Sequence, residues 1–358
     1  MAEFTSLKKI AQRIKDMGRK PDFQNILSIC KQKKPSRPTL FEFIICDRFL
    51  EILTGDKAPL PNNTQGWCNF LIKGFHNAGY DYAVIGGWHL NTLIFSSKDV
   101  QQKASKSLNE GAVITDRKSF EQYAWPDPAM GDYSPLKKMS EELPEGMKLI
   151  VSCYDGILER VINIVGFENF CFMLFEDPNL VKEIFDAVGE RILQYYELCA
   201  EYESVGAFIS NDDWGFKTQT LINPENLREY VFPWYKKIVQ TCHNADKPVI
   251  LHSCGNLGKV MDDVIDDMNF DAKHSFEDNI LPVEKAYDMW GEKIGIFGGI
   301  DVNFLVKSTP QDIHLRVQAL IEQAHEKGAL AIGSGNSIPD YIPVENYCAL
   351  IESVLEYN

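Results

Sequence analysis

Eight short apolar runs recur along this chain of 358 residues, at Thr39–Ile45, Asp81–Ile85, Lys148–Cys153, Gly206–Asn211, Pro248–His252, Asp271–Ser275, Ile294–Gly298 and Ala329–Gly333. Longer segments with helical periodicity separate them, among them Pro178–Tyr202, Glu225–His243 and Thr309–Lys327. The last opens on Thr309-Pro310-Gln311-Asp312, an N-cap with proline in the first turn and an acid three residues on. Strand and helix in alternation call for a parallel sheet, and eight such units fit a single (β/α)8 barrel of the α/β class. A doubly wound open sheet is the other arrangement the pattern permits. The opening "MAEFTSLKKIAQRIKDMGRK" reads as an amphipathic helix with Leu7, Ile10, Ile14 and Met17 on one face. The expected organisation is a helical extension over residues 1–34 and a barrel over 35–358.

Barrels of this kind place their chemistry at the carboxyl ends of the strands. Six strand ends here carry polar groups: "LFEF" with Glu42, "SNDDWGF" with Asp212 and Asp213, "LHSC" with His252 and Cys254, "AKHSFED" with His274, Glu277 and Asp278, "GGID" with Asp301, and "GSGNSIP" with Asn336. Six such groups on one face make a pocket.

The most specific of these is His252-Ser253-Cys254. In extended chain, residues two apart face the same way, so this imidazole and thiol can converge on one atom. Both are good zinc ligands, and a catalytic zinc takes three protein groups plus an open position. Spacing does not dictate the third ligand. His274, at the next strand end, is the first candidate; Glu277, Asp278, Asp212, Asp213 and Glu42 are the alternatives. A glutamate at a buried strand end is expensive without a role, which draws Glu42 into the site as well. The segment "GYDYAVIGGWHLNTLIF" offers Tyr82, Trp88 and His89 around a Gly-Gly turn, a lining for a flat apolar substrate. Asp312-Ile313-His314 resembles the start of a corrinoid-binding D-x-H-x-x-G signature, but the sixth position is Val317 and no corrinoid module belongs to this chain.

Composition narrows the partners. The formal charge of −15 argues against nucleic acid, an anionic membrane surface or a polyanionic substrate, and no compensating cluster of Arg or Lys is visible. No apolar stretch approaches the ~20 residues of a membrane span, and the N-terminal segment lacks the apolar core of a signal peptide. Nine scattered cysteines without a CxxC pair suit reduced thiols, and a cytoplasmic location is expected.

Residues from about 35 to 356 resemble the uroporphyrinogen decarboxylase superfamily, which includes corrinoid-dependent methyltransferases. The resemblance rests on "VILHSCGNLGKVMDDVIDD", "GGID", "GALAIGSGNSIPDYIPVENYCALIESV" and "DDWGFKTQTLINPENLREYVFPWYKKIV". It implies one (β/α)8 barrel, usually paired as a homodimer. The decarboxylases carry an arginine-rich N-terminal segment and an Asp after the second strand; here these places read "KKPSRPTLFEFIICDRF" and "VIGGWHL", which argues against tetrapyrrole decarboxylation. The zinc methyltransferases hold metal with His-x-Cys and a later Cys. His252 and Cys254 match the pair, whereas Asn336 stands in the region of the later Cys, which speaks against methyl transfer to a thiol.

"DDWGFKT" and "KHSFED" resemble the branch that demethylates methoxylated aromatics and passes the methyl to a separate corrinoid protein. The resemblance therefore implies a zinc-dependent O-demethylase methyltransferase, with Zn2+ on His252, Cys254 and His274 or a nearby acid (Glu277 or Asp278), and cobalamin supplied in trans. Asp212, Asp213 or Glu42 would orient the substrate or protonate the leaving phenolate. Tyr82 and Trp88 would sandwich its ring, with His89, Asp301 and Asn336 completing the substrate pocket. A metal-free lyase using Asp212 and Asp213, a methylcorrinoid-to-thiol methyltransferase, and a non-catalytic pigment carrier are the competing readings.

Overall fold

The structure is a computed structural model that describes residues 6–61, 63–90, 92–97, 109, 111–153 and 155–357. Eight strands form one parallel sheet: β1 (Thr39–Leu40), β2 (Tyr82–Gly86), β3 (Lys148–Ser152), β4 (Val205–Asn211), β5 (Val249–His252), β6 (Ala272–His274), β7 (Gly295–Phe297) and β8 (Leu330–Ile332). Their order, β1-β8-β7-β6-β5-β4-β3-β2, with a helix-bearing crossover after each strand, is that of a single (β/α)8 barrel. The open doubly wound alternative is thereby set aside. Strands β2 to β8 fall on the expected runs to within a residue at most ends. They are apolar because parallel strands are covered on both faces, as in the wholly buried Val249–His252.

β1 is the exception, with two residues in the ladder where seven were expected. After Leu40, Phe41 still donates its N–H to Ile332 O, and then the chain turns its groups elsewhere. Glu42 N donates to Tyr82 Oη at 2.7 Å, and Tyr82 Oη donates to Glu42 O at 2.8 Å. Among the described residues no ladder joins β1 to β2, so a side chain spans this seam of the barrel. The barrel interior nearby is aromatic: the Phe41 ring stands edge-on to Phe297 at 4.8 Å and to His274 at 5.0 Å.

The outer layer follows its sequence signals. Pro178–Ala200 and Pro310–Gln323 are helices, and Thr309 and Asp312 form the expected capping box. In the first helix, Leu7–Asp16, Leu7, Ile10 and Ile14 are buried, while Met17 lies just past the end and is 43% exposed. Arg13 of that helix reaches Glu352 at 3.3 Å, which ties the N-terminal segment to the last helix, Val344–Leu355. Among the described residues no helix is long and apolar enough to cross a membrane.

Candidate metal centre

The parallel register sets Asn211, His252 and His274 side by side at the carboxyl ends of β4, β5 and β6. Beyond those ends the loops after β4 and β5 are laced together. Asp212 N donates to His252 O at 3.0 Å and Gly215 N to Cys254 O at 3.1 Å. Trp214 N donates to Ser253 Oγ at 3.0 Å, and Cys254 N to Asp213 Oδ1 at 2.7 Å. The two loops touch backbone to backbone at Gly215 and Gly255: a Cβ on Gly255, whose φ is +83°, would stand 2.3 Å from the Gly215 carbonyl carbon. Only glycine permits this approach.

The lacing brings Asp213, His252 and Cys254 together, one ligand atom from each lying within 4.8 Å of the others. His252 Nε2 is 3.7 Å from Cys254 Sγ. His252 is buried, whereas Asp213 and Cys254 are partly exposed, so the cluster opens towards the barrel mouth. Burial pushes the Cys254 thiol up to about 12, with Asp213 adding to the rise, and holds His252 well below its ordinary value. A neutral imidazole, a carboxylate and a thiol that ionises only beside a cation suit a divalent metal of zinc's softness. Asn336 Nδ2 donates to Cys254 Sγ at 3.2 Å and Ser275 Oγ stands 3.6 Å away, groups that would hold a thiolate in place. Carboxylate, imidazole and thiol thus fit zinc as a three-ligand set with an open position.

The third member is Asp213, one of the alternatives for that place and also expected in an acid role, rather than the first candidate His274. His274 stands behind the cluster, its Nδ1 2.8 Å from His252 Nδ1 and its Nε2 3.2 Å from Ser334 O. Glu277 is exposed and belongs to no metal-holding group among the described residues. Asp278 lies in a bidentate pair with Arg316, both contacts 2.7 Å, and likewise belongs to no metal-holding group among the described residues.

Asp212 is committed to the fold. It accepts hydrogen bonds from Leu158 N and Glu159 N at 2.9 Å, and from Trp214 Nε1 and Tyr235 Oη at 2.8 Å. Two of these donors are orphan amides of the helix Ile157–Val165, so Asp212 is the remote cap of that helix. Glu42 is wholly buried one layer below the cluster, accepting from Ser334 N at 2.8 Å and Ser334 Oγ at 2.6 Å; desolvation raises it to about 8. Both carboxyl groups are engaged in these hydrogen bonds inside the fold.

The remaining expected residues divide. Tyr82 is buried in the core, with its hydroxyl spent on Glu42. Trp88 and His89 are joined, Trp88 Nε1 donating to His89 Nε2 at 2.9 Å, and burial holds His89 down to about 3. Asp301 caps the helix Val302–Lys307 through Phe304 N and also accepts from Asp278 N. Asp301 and Asn336, with Phe276, Glu277 and Tyr341, line a cavity of about 530 Å3 beside the cluster.

Two participants had not been anticipated. Lys273 is buried beneath the strand ends and donates to the carbonyls of Ser253, His274 and Ser275 at 2.8–2.9 Å; burial lowers it to about 8. A lysine inside the apolar run "FDAKHSF" was the available signal. Ser334, which joins Glu42 to His274, had no signal beyond its place in "GSGN".

Fold and site together define a (β/α)8 barrel with a candidate metal centre at its strand ends. Residues 112–357 match the family model "Uroporphyrinogen decarboxylase (URO-D)", and the chain belongs to that family. Among solved structures it is similar to a methyltransferase from Methanosarcina mazei, with a TM-score of 0.70 and 16% identity, over 93% of this chain and 98% of that one. It is also similar to a putative vitamin-B12 independent methionine synthase from Listeria monocytogenes, with a TM-score of 0.53 and 11% identity, over 90% and 98% of the two chains. No curated protein matches in sequence.

Proposed function

We propose that this chain is a zinc-dependent methyltransferase that takes a methyl group from a methoxylated aromatic and delivers it to the Co(I) corrinoid of a separate protein. The observation that carries the reading is the convergence of Asp213, His252 and Cys254 at the carboxyl end of the barrel. The Methanosarcina methyltransferase of the same fold supports the reaction class, and "DDWGFKT" and "KHSFED" support the aromatic donor.

Asp213, His252 and Cys254 would hold the metal, which when bound supplies a Lewis acid for the ether oxygen and so stabilises a departing phenolate. The chain's own residues set the conditions for this. Asn336 and Ser275 hydrogen-bond the Cys254 sulfur. Lys273 fixes the strand ends that carry His252 and His274. The cavity beside Asn336 offers Phe276 and Tyr341 as apolar surface for a ring. A corrinoid protein would dock over the mouth, to which Cys254 and Asp213 are open. The chain is expected to work as a homodimer.

The test is metal content and methyl transfer of wild type and of Asp213→Ala, His252→Ala and Cys254→Ala. The expected result is about one zinc per chain, lost in each variant, with demethylation of a methoxylated aromatic in the presence of a Co(I) corrinoid protein. Full zinc in all three variants, or activity surviving a strong chelator, refutes the reading.

A further inference from the structure

The imidazole pair behind the cluster carries an inference that rests on the metal reading and deepens it. One hydrogen bond in this chain of contacts has its direction settled by chemistry alone, and for neutral rings the others follow from it. The Ser334 carbonyl has no proton to give, so His274 Nε2, 3.2 Å from it, is an N–H donor. A neutral imidazole carries one N–H, so His274 Nδ1 bears a lone pair. His252 Nδ1, 2.8 Å away, must then donate to it. That leaves the lone pair of His252 on Nε2, the atom that faces Cys254. Both rings are buried, which favours the neutral forms.

We propose that His274 is a positioning residue that locks His252 in its Nδ1–H tautomer and aims the Nε2 lone pair at the metal position, with Ser334 and Glu42 anchoring His274 in turn. Two details are built around this relay. The Glu42 carboxyl group grips Ser334 at both its N–H and its hydroxyl, which fixes the carbonyl that reads His274. Gly298 has φ +71°, and a Cβ there would lie 2.2 Å from Ser334 O and 2.8 Å from His274 Nε2, so the bond between them exists because residue 298 has no side chain.

The choice of an imidazole as acceptor has an electrostatic consequence. Asp213 and Cys254 as thiolate already bring two negative charges, enough to balance a divalent ion. A neutral acceptor behind His252 orients the ligand without adding a third charge, unlike the carboxylate found in many metal sites.

Two measurements test the proposal. In metal-free wild type labelled with 15N-histidine, long-range proton–nitrogen correlation should show His252 protonated on Nδ1 and His274 on Nε2, the signals being assigned with His274→Gln. Zinc affinity should fall about 10–100-fold in His274→Leu, with the nitrogen and sulfur count at zinc by X-ray absorption unchanged. His274→Gln should recover most of the loss, because its amide can accept from His252 and donate to Ser334. His252 protonated on Nε2 in the wild type overturns the proposal. So does unchanged affinity in His274→Leu, or one fewer nitrogen at the metal, which would make His274 a ligand. A wild type that shows the stated tautomers but takes up no zinc sustains the relay and sinks the metal reading alone.

Discussion

Glu42→Gln should make the protein more resistant to alkali. Glu42 is wholly buried, with Ser334 as its hydrogen-bonding partner and the phenols of Tyr80, Tyr82 and Tyr347 nearby; desolvation raises its carboxyl from 4.5 to about 8. Between these values the folded protein keeps a proton that the unfolded chain has lost, so stability is fullest at low pH and drains away as pH rises towards 8. At 1.36 kcal/mol per pH unit the whole interval is worth about 5 kcal/mol, and the part between pH 5.5 and 8 about 3 kcal/mol. Glutamine copies the protonated acid: its carbonyl can accept from Ser334 N and its amide can donate to Ser334 Oγ. The two proteins should therefore unfold at similar urea concentrations at pH 5.5. At pH 8.5 the variant should be the more stable by about 3 kcal/mol, read from urea midpoints and slopes. Comparing the two curves cancels every other group that titrates in this range. Parallel curves, or a variant already badly destabilised at pH 5.5, would refute the reasoning.

Other perturbations separate structural from chemical roles. Asp212→Ala strands four buried donors at about 1–3 kcal/mol each, so the melting temperature should fall by ten degrees or more; an unchanged melting curve with lost activity would return Asp212 to the chemistry. On the proposed reading, zinc would displace the Cys254 proton, since that thiol is pushed up to about 12 while His252 is held well below its ordinary value. Calorimetry in buffers of different ionisation enthalpy should count about one proton released per zinc, and none in Cys254→Ser would be expected for that site. Gly298→Ala adds a left-handed alanine and a clash with Ser334 O; a destabilisation of about 2 kcal/mol or more should accompany weaker zinc binding, and a neutral result would contradict the packing described.

The barrel was legible because its strands are apolar on both faces, a signal that needs no tertiary knowledge, and the His252–Cys254 pair because strand parity puts alternate residues on one side. The third member of the cluster was not singled out by the sequence. Asp212 and Asp213 are adjacent acids, and only the lacing of two loops turns Asp213 to Cys254 while Asp212 drops to Leu158 at a helix start, 54 residues earlier in the chain. His274 looked like a ligand because it ends the next strand, yet the same register that places it there puts His252 between it and the open side. Tyr82 read as a mouth aromatic and is a core residue, because it stands at the start of β2, far below the strand's carboxyl end.

The seam between β1 and β2 gives the ring a clasp. Elsewhere round the barrel neighbouring strands share backbone ladders, but here one phenol holds two sides together, on the residue whose carboxylate anchors the site. Regions with few backbone bonds are where native proteins open first. Amide exchange should therefore begin at Phe41 to Phe43 rather than in β3 to β5. The candidate metal site would then loosen from behind, by way of Glu42 and Ser334, before the barrel as a whole gives way.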